Sequence, residues 1–348
     1  MTEIVPPAED AAEDAAEDPA NAGAALDAGS GSPASAPAGL PAVDTAGDAA
    51  ARPGGELVNV GREQVHVVTS GPADGPPLLL SSGLGGAWFD WRPSAALLED
   101  AHRVIAFDRP GLGLSPAAHA APTLRREVDV LAALAARAGG PVVVLAHSMA
   151  AFHAEALARL RPGLVRGLVL VDPSYERNPR VALRYAAALT PAATATGAVL
   201  GATRLARVVG PLGRRLVLKH TSRRDDPASG GVVRSVYGRG TVLGTALAEN
   251  LAYPEMALDL ARLRERCPFP AVPLVVLTAL GDVKEPAEAR KWAAGHARLA
   301  AMSPLGSQIE LADALHMVHL DRPDAVADAV AAVLAHPGGN AAGAVETA

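Results

Sequence analysis

Two short runs open the patterned part of the chain, residues 56–60 and 64–69, split by Gly61-Arg62; their β-prone character predicts a hairpin. The pattern then changes. Residues 77–81, 104–107, 141–145, 165–171 and 273–278 are almost continuously apolar, as expected of strands buried on both faces of a parallel sheet. Helix-periodic stretches such as 123–138 and 149–160 lie between them, and strands alternating with helices predict an α/β fold with a mainly parallel sheet. One connection breaks the rhythm. Roughly 100 residues separate Asp172 from Pro273, where a crossover needs on the order of a dozen. The surplus is expected to be an inserted helical cap over residues 174–255. Its helix-like segments, extending just past that boundary, are 181–189, 194–209, 232–251 and 255–266, with Pro191, Pro211 and Pro254 as breaks.

Composition changes how the ends are read. About a fifth of the 348 residues are alanine, and residues 1–55 hold ten carboxylates against the single Arg52. With almost no branched aliphatic or aromatic residue, this segment cannot bury enough surface to offset chain entropy, so it is expected to be a disordered acidic tail. Residues 336–348 are expected to fray likewise. The core is then 56–173 with 256–335. The whole chain carries −6, so the part after the tail is mildly basic. The excess sits in the insertion, where residues 174–255 hold twelve bases and five acids.

Other classes are disfavoured. No apolar run reaches the length of a membrane span, and the start, Met1-Thr2-Glu3-Ile4, lacks the flank of a signal peptide, so a cytoplasmic protein is expected. The single Cys267 supplies neither a disulfide nor a thiolate cluster. No dense basic stripe points to nucleic acid. The expected partner is a small molecule, with no metal and no cofactor, and oligomeric state is left open.

The chemistry concentrates where residues 142–150, Val-Val-Val-Leu-Ala-His-Ser-Met-Ala, run from a buried strand through Ser148 into an amphipathic helix. A sharp strand-to-helix turn holds a serine oxygen clear of the sheet, beside the positive end of the helix. Such a turn needs small residues two before and two after, and Ala146 and Ala150 stand there. Further on come Asp172 at the end of a strand, Leu280-Gly281-Asp282 just past another, and Leu315-His316-Met317-Val318-His319.

In this order the motifs resemble those of the α/β-hydrolase fold family, over roughly residues 56–334. Ser82-Gly83-Leu84-Gly85-Gly86 is similar to its oxyanion loop, with serine for the usual histidine, and residues 107–115, Phe-Asp-Arg-Pro-Gly-Leu-Gly-Leu-Ser, to its Asp-Arg-Pro-Gly turn. The resemblance implies a nucleophile Ser148, an acid Asp282 and a base His316, in the chain order serine, acid, histidine. It also implies backbone N–H donors at Leu84 and Met149 for the oxyanion. Asp172 is the alternative acid, since the family also uses the earlier strand end, and His319 is the rival base.

The other polar residues have quieter readings. Asp108 and Arg109 are expected to satisfy loop backbone groups, and His147 to pack. Trp88, Phe89 and Trp91 either line the acyl pocket or anchor the oxyanion loop. The basic insertion fits an anionic substrate, an acidic membrane surface, an acidic tail folded over it, or a solvated arginine-rich face. The implied activity is a serine hydrolase cleaving a small or medium acyl substrate, a carboxylic ester first, through an acyl-enzyme. The alternatives are a carbon-carbon bond hydrolase or lactonase on the same triad, or a non-catalytic ligand-binding member of the fold.

Overall fold

A computed structural model describes residues 54–336. The expectations for the acidic tail and for the C-terminal residues therefore lie almost wholly outside the described residues. Eight strands form one sheet: β1 (Glu56–Val60), β2 (Glu63–Ser70), β3 (Pro77–Ser81), β4 (Arg103–Asp108), β5 (Val142–His147), β6 (Val165–Val171), β7 (Leu274–Ala279) and β8 (Gly306–Leu311). Their spatial order is β1-β2-β4-β3-β5-β6-β7-β8. The first hairpin is antiparallel, as is β2 against β4, and every pair from β4 onward is parallel. β8 lacks the continuous apolar run of the other parallel strands, since only Leu311 of Gly306–Leu311 is buried, as suits an edge strand.

Helices cover both faces: α1 (Arg92–Leu98), α2 (Leu124–Arg137), α3 (Ala150–Leu160), α4 (Ala186–Ala202), α5 (Ala206–Thr221), α6 (Gly230–Tyr237), α7 (Gly240–Arg266), α8 (Pro286–Ala300), α9 (Val318–Asp321) and α10 (Pro323–Ala335). Alternation along the strands divides the core. Val144 and Ala146 of β5 pack with α2, α3 and the second half of α7, while Val143 and Leu145 pack with Trp91 and α10. Two helices start at side-chain caps: the Thr123 hydroxyl accepts from the Arg126 N–H at α2, and the Ser229 hydroxyl from the Val232 N–H at α6. No helix among the described residues is long and apolar enough to cross a membrane.

Helices α4 to α7 fill the long connection between β6 and β7. The expected proline breaks do not occur, since Pro191, Pro211 and Pro254 lie inside α4, α5 and α7. Each forgoes one helical hydrogen bond, at a cost of about 3 kcal/mol, which close packing must offset. That packing is visible where α4 crosses α7: a Cβ on Gly197 would fall 2.8 Å from Gly244 Cα, so only glycine admits this approach. The boundary drawn at residue 255 falls within α7, whose buried Met256, Ala257 and Leu260 join the face of α2 and α3.

Candidate active site

β5 delivers Ser148 directly to the edge of the sheet. The residue adopts φ +53°, a left-handed conformation that a non-glycine residue holds only under tertiary constraint. The constraint is local and explicit: the Ser148 N–H donates to Val171 O (3.1 Å), while Ala146 and Ala150 are fully buried on either side. Gly83 closes over the turn. A Cβ there would lie 2.7 Å from His147 Nδ1 and 3.1 Å from Ser148 Cβ.

His316 Nε2 lies 3.1 Å from Ser148 Oγ, and its Nδ1 lies 2.6 Å from Asp172 Oδ2. A carboxylate only accepts, so Nδ1–H donates to Asp172, which leaves Nε2 to accept the serine proton. The expectation of Asp282 at this position is corrected. Asp282 is exposed in the turn after β7, and among the described residues the carboxylate that His316 meets is Asp172. The physical reason is the company each aspartate keeps. Asp172, buried and held at φ +39°, accepts through Oδ1 from the Ala279 N–H (3.0 Å) and from Trp292 Nε1–H (3.2 Å). Those two donors fix the carboxylate so that Oδ2 faces the histidine.

The histidine loop is fixed from several sides. The Met317 N–H donates to Thr221 O at the end of α5, and the Leu315 N–H to Asp321 Oδ2 (2.9 Å). His147 Nε2 meets His316 O at 3.0 Å, and the two rings lie tilted at 49° with centroids 4.6 Å apart. His319, the rival base, is buried between Trp91 (4.6 Å) and His147 (4.5 Å), and its backbone carbonyl accepts from Ser94 Oγ. Burial, with His316 close by, pushes its pKa down to about 3, and burial likewise holds His147 well below the usual histidine value. Both are neutral rings packed behind the reacting pair.

The two expected donors to an oxyanion have free N–H groups. Around them the Gly85 N–H donates to Glu249 Oε2, the Gly86 N–H to Gly83 O and the Ser148 N–H to Val171 O. The N–H groups of Leu84 and Met149 meet no partner among the described residues.

A model of the alpha/beta hydrolase family matches residues 78–329. The chain belongs to that family. Over 113 residues it is 42% identical to a Variovorax paradoxus protein named carbamate hydrolase RutD. The match takes in 31% of this chain and 42% of that relative, so the chain spans about two-fifths of the relative's length. Two solved structures share the fold: a thermophilic esterase from Thermogutta terrifontis (22% identity, TM-score 0.56, 79% of this chain and 94% of that one) and an enol-lactonase from Burkholderia xenovorans LB400 (22%, TM-score 0.57, 80% and 100%).

One residue that sequence reasoning passed over ties this hydrolase-family core to the insertion. Glu249 of α7 is fully buried and pairs with Arg109, with Nε at 2.7 Å from Oε1 and Nη2 at 2.9 Å from Oε2. Arg109 also donates to the carbonyls of Ser82 and Gly83, so the pair grips the loop that carries Leu84 through both its carbonyls and its Gly85 N–H. Glu249 reads in the sequence as one polar position in a helix, with no signal beyond a carboxylate in a largely apolar stretch. Asp108 takes the backbone role expected of it, accepting from the Trp88 and Leu114 N–H groups. The aromatic trio serves as anchor, with Trp91 in the core and Phe89 beneath the guanidinium of Arg214 at 4.8 Å. Arg214 in turn pairs with Asp90 and Asp226.

Proposed function

We propose that the protein is a serine hydrolase that cleaves a small or medium acyl substrate, first of all a carboxylic ester, through an acyl-enzyme. The observation that supports it is the chain of contacts from Ser148 Oγ through His316 to Asp172, with the serine on a strained turn. His316 takes the Ser148 proton as Oγ attacks the carbonyl carbon, and Asp172 holds the tautomer and stabilises the imidazolium. The tetrahedral oxyanion is met by the N–H groups of Leu84 and Met149, the second at the positive end of α3. The proton on His316 then passes to the leaving alkoxide. A water activated by the same base releases the acid and frees Ser148. Helices α4 to α7 act as the cap, joined to the oxyanion loop by Glu249, which accepts from the Gly85 N–H, and by Tyr237, whose hydroxyl donates to Gly85 O.

A second reading, hydrolysis of a carbamate, is favoured by the name of the Variovorax relative, and the same attack on a carbonyl carbon serves it. Labelling with a fluorophosphonate probe tests the nucleophile. Label on Ser148, lost in Ser148→Ala, is expected; an unlabelled wild type would leave a ligand-binding protein on this fold. Turnover across esters, lactones, thioesters and carbamates then ranks the substrate classes.

A further inference from the structure

Helix α5 is built inside out. Its buried positions are Ala206, Gly210, Arg214 and Leu218, a small and partly charged stripe, with Arg214 paired to Asp90 and Asp226. The opposite face, which a globular helix normally gives to polar residues, carries Leu205, Val208, Val209, Leu212 and Leu216. These stand at the helical spacing of three and four, and Val208 is 66% exposed and Leu212 52%. α4, the preceding helix, carries two further exposed apolar side chains, Leu189 and Val199, the latter 61% exposed. Exposed leucine and valine gathered on one face in this way mark a surface that something covers.

The surrounding charge selects the occupant. Residues 177–224 contain ten lysines and arginines and no carboxylate. Arg204, Arg207, Arg215 and Lys219 flank the apolar row, and none has an acidic partner among the described residues. Beside them opens a cleft of 760 Å³ lined by Arg207, Arg215, Lys219, Arg223 and Arg224, with Asp225 and Asp226 also at its wall. A second copy docking through this face would bring like charges together. A surface offering hydrocarbon beneath negative headgroups satisfies both features at once.

We infer that the α4–α5 face docks on an anionic lipid bilayer, with the valine and leucine row entering the boundary between headgroups and acyl chains and the flanking bases meeting headgroup phosphates. This inference is independent of the catalytic reading.

The test is co-sedimentation of the full chain with sucrose-loaded vesicles of phosphatidylcholine alone or with 30% phosphatidylglycerol. Binding to the anionic vesicles at least tenfold above the neutral ones is expected, weakening as NaCl rises from 0.05 to 0.5 M. Val208→Asp with Leu212→Asp should abolish it, and Arg207→Ala with Arg215→Ala should reduce it at least threefold. All four sites are exposed or on the helix rim, and an unchanged thermal melt shows that the fold persists. Equal binding to both vesicle types, no binding to either, or binding unaltered by the aspartates would overturn the inference. So would a dimer in sedimentation velocity that Val208→Asp dissociates, since the face would then belong to a second copy.

Discussion

Asp172 Oδ2 and His316 Nδ1 lie 2.6 Å apart although 144 residues separate them in the chain. The carboxylate is buried and its other oxygen is occupied by the Ala279 N–H and the Trp292 indole, so the pair has one arrangement. Asp172→Asn should therefore leave the fold in place and lower kcat by about 10³ to 10⁴ through the wrong histidine tautomer. Asp282→Asn should stay within about twofold of the wild type, as a solvated turn residue would. Steady-state rates on a nitrophenyl ester decide between them, and a large loss in the Asp282 variant alone would remove Asp172 from the mechanism.

The three histidines clustered at Ser148 differ in what they touch. His316→Ala should abolish turnover, since among the described residues no other base reaches Ser148 Oγ. His319→Ala should keep a measurable rate while lowering the melting temperature, because it empties a buried site between Trp91 and His147. The reverse pattern of rates would reassign the base.

Gly83 presses on the nucleophile turn. In Gly83→Ala the new methyl would meet His147 and Ser148, so the oxyanion loop must retreat by several tenths of an ångström. A loss of about 10² in kcat with a KM changed much less is expected, as for other small misplacements of reacting groups. An unaltered kcat would show that the loop does not need this close approach.

Glu249→Gln tests the buried pair with Arg109. Removing one charge strands the other in the core, which typically costs about 3 to 5 kcal/mol. The same change frees the loop bearing Leu84, so kcat should fall with stability. Urea unfolding beside kinetics on the folded fraction separates the two effects.

Acid should destabilise the protein over a defined window. Burial lowers the pKa of His319 and of His153 to about 3, and holds His147 and His296 below the usual 6.5. The unfolded chain binds these protons from about pH 6.5 downward and the folded chain does not. Stability contributed by the neutral rings of His319 and His153 is thus fully present above pH 6.5 and falls by about 1.4 kcal/mol per pH unit for each toward pH 3, and the lowered His147 and His296 act in the same direction. Urea midpoints at pH 7, 6 and 5 should decline in sequence, and His153→Leu should flatten the slope. A midpoint independent of pH would refute the neutral assignment.

By itself the sequence determined the parallel sheet and the turn at Ser148, because both rest on short-range pattern, apolar runs and small residues two positions from the serine, while the histidine loop was legible through its resemblance to the family's motif. The sequence pointed to Asp282 as the acid, with Asp172 as the alternative, since both follow a strand and the Gly-Asp turn favours the later one. Only the tertiary structure could choose, because the donors that seat Asp172 come from β7 and α8, more than a hundred residues away. The prolines in α4, α5 and α7 were misread for the same reason: the local cost of a lost hydrogen bond is written in the sequence, and the packing that offsets it is not. Glu249 and the outward apolar row of α5 belong with them. Whether a polar residue is buried against Arg109, or a leucine faces solvent, depends on which side of a helix meets the core, and periodicity alone names two sides without saying which is in.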